Sequence, residues 1–220
     1  MTRITYFQKV TQKIKVMEVF EMADHGNGWA NPAPAGLVAL ATVCFAFFAL
    51  YTGRVDGTAL PLLGIWLIGG FVIQLIVAVI ELKEGAILGG NVFLFFSAFL
   101  MLVTGLECLF KFWMGTKGIT MDTRIDGWAW LALSIALVLW TPGYFKSPLA
   151  MILCVLSLDI AIPVVALKDL TILPATIGAP LAGTFLLLAG IFGLYMAAGT
   201  ILNTTFGKQV LPLGSPWIKG

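Results

Sequence analysis

The sequence predicts an all-α integral membrane protein with six transmembrane helices, preceded by an N-terminal amphipathic helix. Hydrophobic residues make up 60% of the 220 residues and charged residues only 11%, with a mean hydropathy of +0.99. A soluble domain carries about 25% charged residues. Six apolar runs follow a polar amino-terminal stretch, and most of them reach the ~20 residues that cross ~30 Å of hydrocarbon. The connectors between them are too short for a second domain.

Residues 1–30 predict a cytoplasmic amphipathic tail. Within residues 4–22, apolar side chains recur at helical spacing, and basic side chains lie largely between them. This pattern is typical of a helix on a membrane surface or against a neighbouring subunit. A mobile tail is the alternative. No apolar core of the signal-peptide type is present in this stretch, so we expect no cleavable signal peptide.

The stretch Asn-Pro-Ala-Pro-Ala-Gly-Leu at residues 31–37 marks the start of the first span. Proline is tolerated in the first turn of a helix because its missing N–H has no partner there. Asn31 suits the cap position before Pro32. We therefore expect a helix start with free N–H groups, which in a membrane is one of the few places able to hold an anion without a formal charge.

The predicted transmembrane domain covers residues 31–203 and is followed by a cytoplasmic carboxyl tail, residues 204–220. Its apolar runs cover approximately residues 32–51, 58–81, 86–110, 127–142, 148–167 and 177–202. The fourth run is the shortest, but Trp128, Trp130 and Trp140 bracket it like an interfacial belt. Glycine pairs such as Gly85 and Gly89 have the spacing that lets membrane helices approach closely.

An even number of spans places both termini on one side of the membrane. Eight of the 13 Lys and Arg residues then share that side, and five lie on the other. The positive-inside rule therefore predicts a multi-pass protein of the plasma membrane with both termini in the cytoplasm.

Polar residues inside the apolar runs are candidates for function, because each is costly there unless it faces protein or water. Gln74 and Glu81 are seven residues apart on the second span and therefore share a face. Asp159 lies near the middle of the fifth span, and Pro163 follows it. Its carboxyl group either takes part in transport or is protonated and bonded to a neighbouring helix. Glu107 and Lys111 have the spacing of a helical ion pair.

The sequence shows no catalytic, metal-binding or nucleic-acid-binding pattern. His25 is the only histidine, and no span carries a pair of carboxylates or a Ser-His arrangement at useful spacing. Cys44, Cys108 and Cys154 lie in apolar runs without C-x-x-C spacing, so we interpret them as buried thiols. We expect no enzyme activity, no cofactor, no metal and no nucleic-acid partner.

Three separated segments of this chain resemble the acetate uptake transporter family, the succinate–acetate permeases. Residues 31–37 resemble the family's opening signature. Gly69-Gly70 with Gln74 and Glu81 is similar to its G-G…Q…E stretch. The ending, with Tyr195, Leu202-Asn203 and Leu211-Pro212-Leu213-Gly214, is similar to its closing pattern of a Tyr, a Leu-Asn and a Leu-Pro-x-Gly. The resemblance covers about residues 30–214, whereas spans four and five match only in length and hydropathy.

The resemblance implies six helices around a central pore, a hexameric assembly with cytoplasmic termini, and transport of acetate or related monocarboxylates. Some members of the family carry succinate, and transport is either channel-like or coupled to protons by symport. The residues that we expect along the substrate path are Asn31, Pro32, Ala33, Pro34, Gly36, Leu37, Gln74, Asn91, Tyr195 and Asn203. Asn203 alternatively serves only to cap the end of the last helix.

The resemblance also implies an aromatic-rich constriction, and here the chain departs from the family pattern. Leu40 stands where relatives often carry Phe. Gly90-Asn91-Val92-Phe93 fits the family's Gly-Asn-x-Phe wording only with extra residues after Glu81. An ungapped alignment instead places Phe96 where relatives carry a pore Tyr. We expect Leu40, Phe96 and Leu158 to form the constriction.

Three hypotheses follow from the sequence. The first is a passive or proton-coupled permease for acetate and similar acids, with Glu81 and Asp159 as candidate proton carriers and a ring of apolar side chains as the gate. The second is a hexameric channel for a small neutral solute such as urea or a short amide. The third is a sensor or scaffold that has kept the fold and lost transport, with the amino-terminal segment binding a partner.

Overall fold

The computed structural model describes residues 28–219, and within this range it shows six long helices, each long and apolar enough to cross a membrane. They are α1 (Ala33–Tyr51), α2 (Leu60–Lys83), α3 (Ile87–Thr116), α4 (Arg124–Trp140), α5 (Leu149–Asp169) and α6 (Ala175–Phe206). A 3₁₀ turn, Gly57–Ala59, precedes α2, and another, Thr141–Lys146, extends α4. The predicted all-α fold with six transmembrane helices is confirmed. The predicted amphipathic helix in residues 4–22 lies outside the described residues.

The helices form a closed ring in chain order. α1 packs on α2 and α6, α6 on α5, α5 on α4, and α2 on α3. The ring closes between α3 and α4, where Phe95 and Trp140 meet with ring centroids 5.7 Å apart and Leu88 lies against Gly143. Buried apolar side chains from the helices fill the centre as one cluster.

Glycines bring α2 and α3 into direct backbone contact. A Cβ atom added to Gly64 would lie 2.7 Å from the carbonyl oxygen of Gly105, and one added to Gly105 would lie 3.1 Å from that of Gly64. Because a real Cβ essentially never comes as close as the first of these distances, α2 and α3 cross this closely only with glycine at position 64.

α3 departs from regular α-helical geometry in its middle. Phe96–Val103 is a π-helical segment, and the Thr104 hydroxyl donates to the carbonyl oxygen of Phe99, five residues earlier, at 3.0 Å. Such segments change the direction in which the following side chains point and often occur at functional sites.

α3 also continues to Thr116, although the apolar run predicted a span that ends near residue 110. The extra turns contain Lys111, whose Nζ lies 3.0 Å from Glu107 Oε2 and 2.6 Å from Asp126 Oδ2 of α4. The predicted ion pair between Glu107 and Lys111 is therefore present. Because these two carboxylates satisfy the ammonium group, the helix accommodates a charge that hydropathy assigned to a connector.

We call the end of the bundle that holds residues 28–32 and 207–219 the near end, and the opposite end the far end. At the near end, Lys83 lies over the ring of Trp29, 4.7 Å from its centroid. At the far end, Lys168 is paired with Asp169 and lies 5.3 Å from the ring centroid of Tyr51. These charged groups therefore lie at the two ends, as expected for a bundle with a hydrocarbon-facing middle.

Candidate functional site

The start of α1 uses most of its N–H groups internally. The helix begins one residue later than predicted, with Pro32 instead of Asn31 at the cap position. The Ala33 N–H nevertheless donates to Asn31 Oδ1 at 2.9 Å, and the Ala35 N–H donates to the carbonyl oxygen of Pro32 at 3.1 Å. Pro32 and Pro34 have no N–H. The expected row of free N–H groups is therefore not present, and an anion at this helix end would compete with the Asn31 side chain for the Ala33 N–H.

Gln74 joins α2 to the first turns of α1. Its Nε2 donates to the carbonyl oxygen of Gly36 at 3.2 Å, and the side chain is fully buried. The ring of Phe93 packs over Gly36 so closely that an added Cβ would lie 2.5 Å from it. Gln74 Oε1 is buried and has no hydrogen-bond partner among residues 28–219. The opening stretch and the second predicted segment therefore meet inside the bundle.

Glu81 lies on the same face of α2, two turns nearer the near end. Its side chain is buried, and Oε2 has no hydrogen-bond partner in the described part of the chain. This oxygen lies against Gly89 of α3, where an added Cβ would collide with it. Tyr144, in the turn after α4, is also buried and within electrostatic range of Glu81. A carboxyl group with an unpaired oxygen therefore lies between three elements.

The three predicted constriction residues lie in the same buried cluster. Leu40 of α1 is 3% exposed, Phe96 of α3 is 2% exposed and Leu158 of α5 is 2% exposed. The ring of Phe96 packs on that of Phe95 with centroids 4.5 Å apart. Side chains from three helices are therefore buried together in the apolar interior of the bundle.

Asp159 follows Leu158 and is half-buried. Its Oδ1 is buried without a hydrogen-bond partner in the described residues, and the Thr141 side chain lies beside the carboxyl group. The Thr141 hydroxyl itself donates to the carbonyl oxygen of Leu137 at 3.0 Å. Pro163 has no N–H to donate to the backbone carbonyl of Asp159, four residues earlier, so that carbonyl loses its intrahelical bond.

The structure does not place Asn91 beside the buried polar residues described above. Its side chain is exposed on the outside of the bundle, and Nδ2 donates to the carbonyl oxygen of Ile87 at 2.7 Å. The helical phase explains the placement, because Gly90, Val92 and Phe93 occupy the buried face of α3.

Tyr195 and Asn203 hold the carboxyl-terminal segment, residues 207–219, which we call the tail. The Tyr195 hydroxyl donates to the carbonyl oxygen of Pro212 at 2.7 Å. Asn203 Nδ2 donates to the carbonyl oxygen of Leu211 at 2.8 Å, and Oδ1 accepts from the N–H groups of Val210 at 2.6 Å and Leu211 at 2.9 Å. Both amide atoms of Asn203 are therefore engaged with the tail.

The tail also binds the start of α5, a contact that we did not predict. The carbonyl oxygen of Leu213 accepts from the Ala150 N–H at 3.0 Å. The N–H groups of Trp217 and Ile218 donate to the carbonyl oxygen of Phe145 at 3.0 and 2.9 Å. The Leu-Pro-x-Gly pattern was a usable signal, since Gly214 has φ of 79° and lies against Leu149.

The interior thus presents hydrogen-bond acceptors in an apolar bundle. Gln74 Oε1, Glu81 Oε2 and Asp159 Oδ1 are each buried and without a partner among the described residues. Buried polar atoms are nearly always paired in folded proteins, so exceptions point to a ligand, a water molecule or a function. No group of three His, Cys, Asp or Glu side chains within residues 28–219 is placed to hold a metal ion. The arrangement suits a small solute that donates hydrogen bonds.

Comparisons with known proteins support the fold through structure. No protein-family model and no curated protein sequence gives a match to this chain. Among solved structures, the chain is similar to the structure of the bacterial acetate channel SatP, with a TM-score of 0.71 and 24% sequence identity. The match covers 84% of this chain and 99% of the channel. The chain therefore has the fold of that channel.

Proposed function

We propose that this multi-pass membrane protein is a channel for acetate and related small monocarboxylic acids. The observation that carries the proposal is the set of buried, unpaired oxygens of Gln74, Glu81 and Asp159 inside a bundle with the fold of an acetate channel. The path enters at the opening stretch beside Asn31 and Gly36. Gln74, bonded to the Gly36 carbonyl, positions the first interior acceptor.

The cluster of Leu40, Phe96 and Leu158 forms the gate of this path. These side chains are almost completely buried, and among residues 28–219 no Lys or Arg side chain is buried with them to offset the charge of a carboxylate. An apolar ring that excludes water resists bare ions more strongly than neutral solutes. We therefore infer that the species crossing the gate is the undissociated acid.

The unpaired acceptors favour the same species. An acid in its O–H form can donate a hydrogen bond to Gln74 Oε1, whereas a carboxylate has only acceptors to offer. Glu81, close to the near end of α2, and Asp159, in the middle of α5, are the candidate proton carriers. Transport would then be coupled to protons, because the proton travels with the acid. Succinate, with two carboxyl groups, would cross more slowly than acetate.

The remaining features of the proposal concern assembly and orientation. The near end holds both described ends of the chain and faces the cytoplasm, in accordance with the distribution of basic residues. The chain acts in the plasma membrane as a homo-oligomer, a hexamer by its family resemblance. Asn91, exposed on the outside of α3, then lies outside the path through its own bundle.

Uptake of radiolabelled acetate into proteoliposomes tests the proposal. We expect faster uptake at about pH 5 than at about pH 7, since a carboxylic acid of pKa about 4 has a far larger undissociated fraction at the lower pH. Gln74→Leu should reduce uptake, whereas Asn91→Leu, which removes an exposed amide, should not. Absence of uptake above empty liposomes at both pH values would contradict the proposal.

A channel for urea or a short amide is the second candidate, because the same acceptors suit a solute with N–H donors. Phe96 has no hydroxyl group, so its side chain offers no hydrogen bond that would favour acetic acid over such a solute. Swelling of the same proteoliposomes in urea and in acetate separates the two candidates. Urea permeation without acetate permeation would favour the second.

A further inference from the structure

A groove with apolar walls and a charged mouth lies at the far end, between the start of α4 and the end of α5. Its volume is about 590 Å³. Its lining includes Asp122, Arg124, Trp128, Leu131, Leu167 and Leu170. It lies apart from the path proposed above, and nothing in that proposal uses it.

The floor of the groove is a close contact between the two helices. A Cβ added to Gly127 would lie 2.7 Å from both the backbone nitrogen and Cγ of Leu170. Because α4 and α5 touch here, the side chains on either side of the contact rise as walls. Arg124, Trp128 and Leu131 follow one another at i, i+4 and i+7 and so share one face of α4.

The two charged residues of the lining lie at the start of α4, and apolar side chains continue along the axis of that helix. Arg124 begins α4, and Leu131 lies about 10 Å further along the helix at 1.5 Å per residue. Trp128, between them, is 63% exposed. Tryptophan at this level is typical of the boundary between headgroups and hydrocarbon. The groove therefore passes from the headgroup layer into the hydrocarbon layer.

The mouth carries one negative and one positive group side by side. Asp122 accepts from Arg124 Nε at 2.8 Å and from Nη2 at 2.6 Å, and also from the Arg124 backbone N–H at 3.1 Å. These bonds to Arg124 lower the pKa of Asp122 to about 2, so its carboxylate stays charged. The guanidinium group has five N–H donors and uses two of them here, which leaves three for another acceptor.

We propose that this groove binds a zwitterionic aminophospholipid, phosphatidylethanolamine, with its acyl chains along the apolar walls. The phosphate accepts from the remaining N–H groups of Arg124, and the ammonium group donates to the Asp122 carboxylate. The headgroup of such a lipid carries one negative and one positive charge, and each of them can lie beside the opposite charge of the mouth. An anionic lipid without an ammonium group adds no donor for the Asp122 carboxylate, and a choline headgroup has no N–H to donate to it.

Native mass spectrometry of the purified full-length protein tests this site. The protein is titrated with phosphatidylethanolamine, phosphatidylglycerol and phosphatidylcholine of identical acyl chains. We expect more bound phosphatidylethanolamine than either competitor. Arg124→Gln should lower that binding about fivefold, the effect of one basic group at a membrane surface. Lys117→Gln, which removes a positive charge from the same connector outside the groove, is the matched control and should change nothing.

Asp122→Asn provides an independent test, because it leaves the guanidinium group without its carboxylate. The preference should then shift from phosphatidylethanolamine to the anionic phosphatidylglycerol. Both substituted side chains are more than 60% exposed, so thermal unfolding should remain as in the unmodified protein. Equal binding of the three lipids by the unmodified protein would overturn the proposal. The proposal would also be overturned if Trp128→Ala dissociated the oligomer and left lipid binding unchanged. That result would mean that a second copy of the chain covers the groove.

Discussion

Replacing Asn203 with alanine should release the tail from the bundle. The substitution removes three hydrogen bonds, one from Nδ2 to Leu211 and two to Oδ1 from Val210 and Leu211. At about 1 kcal/mol for each bond, the docked tail loses about 3 kcal/mol. This is an upper value, because the freed tail groups regain water. It corresponds to roughly a hundredfold larger undocked population.

Trypsin cleavage at Lys208 measures that population. Lys208 is exposed and lies between Asn203 and the docked part of the tail, and a protease cuts the transiently opened form when opening is fast relative to cleavage. We expect Asn203→Ala to be cut up to about a hundredfold faster than the unmodified protein. Asn91→Ala, which loses one exposed bond, should be cut at the unmodified rate. Equal rates for the two variants would refute the interpretation of Asn203 as the residue that holds the tail.

Three further predictions concern the interior and the far end. Gln74→Leu should lower acetate uptake at least tenfold through loss of its bond to α1 and of the interior acceptor; uptake within twofold of the unmodified protein would exclude Gln74 from the path. Gly89→Ala should displace the Glu81 carboxyl group and reduce uptake, and Glu81→Ala in the same background should relieve the collision and restore thermal stability; a stable, fully active Gly89→Ala protein would contradict this packing. Lys111→Met should lower unfolding stability by about 1–2 kcal/mol, because two partly exposed carboxylates lose their partner, whereas Lys117→Met should have no effect in detergent thermal unfolding.

The membrane fold was predictable because hydropathy and length decide it locally. Each apolar run of about 20 residues forms a helix regardless of its neighbours, and a proline in the first turn marks where α1 begins. The shared face of Gln74 and Glu81 follows from a spacing of two helical turns. Burial of Leu40, Phe96 and Leu158 also agrees with the constriction that the resemblance implied, although their role in transport stays a prediction.

The parts that the sequence did not reveal depend on contacts between distant segments. From the sequence, Asn203 was either a path residue or a helix cap. Its partners could not be predicted locally, because they come from a tail that folds back across α5. The sequence allowed two alignments of this region, and we chose the ungapped one, which places Phe96 rather than the Gly-Asn-x-Phe segment ending in Phe93 at the constriction. Both are buried, and the π-helical segment that starts at Phe96 shifts the helical phase between the two halves of α3.

The backbone contact between Gly64 and Gly105 has a mechanical consequence. Helices that slide past one another do so on a layer of side chains that can change rotamer. At this crossing a carbonyl oxygen of each helix lies next to the glycine of the other, so no side chain separates the two backbones at that contact. The two helices therefore form a rigid wall that carries Gln74, Glu81 and Phe96 together. For the proposed path, we expect opening to come from displacement of α1 or α5 against this wall.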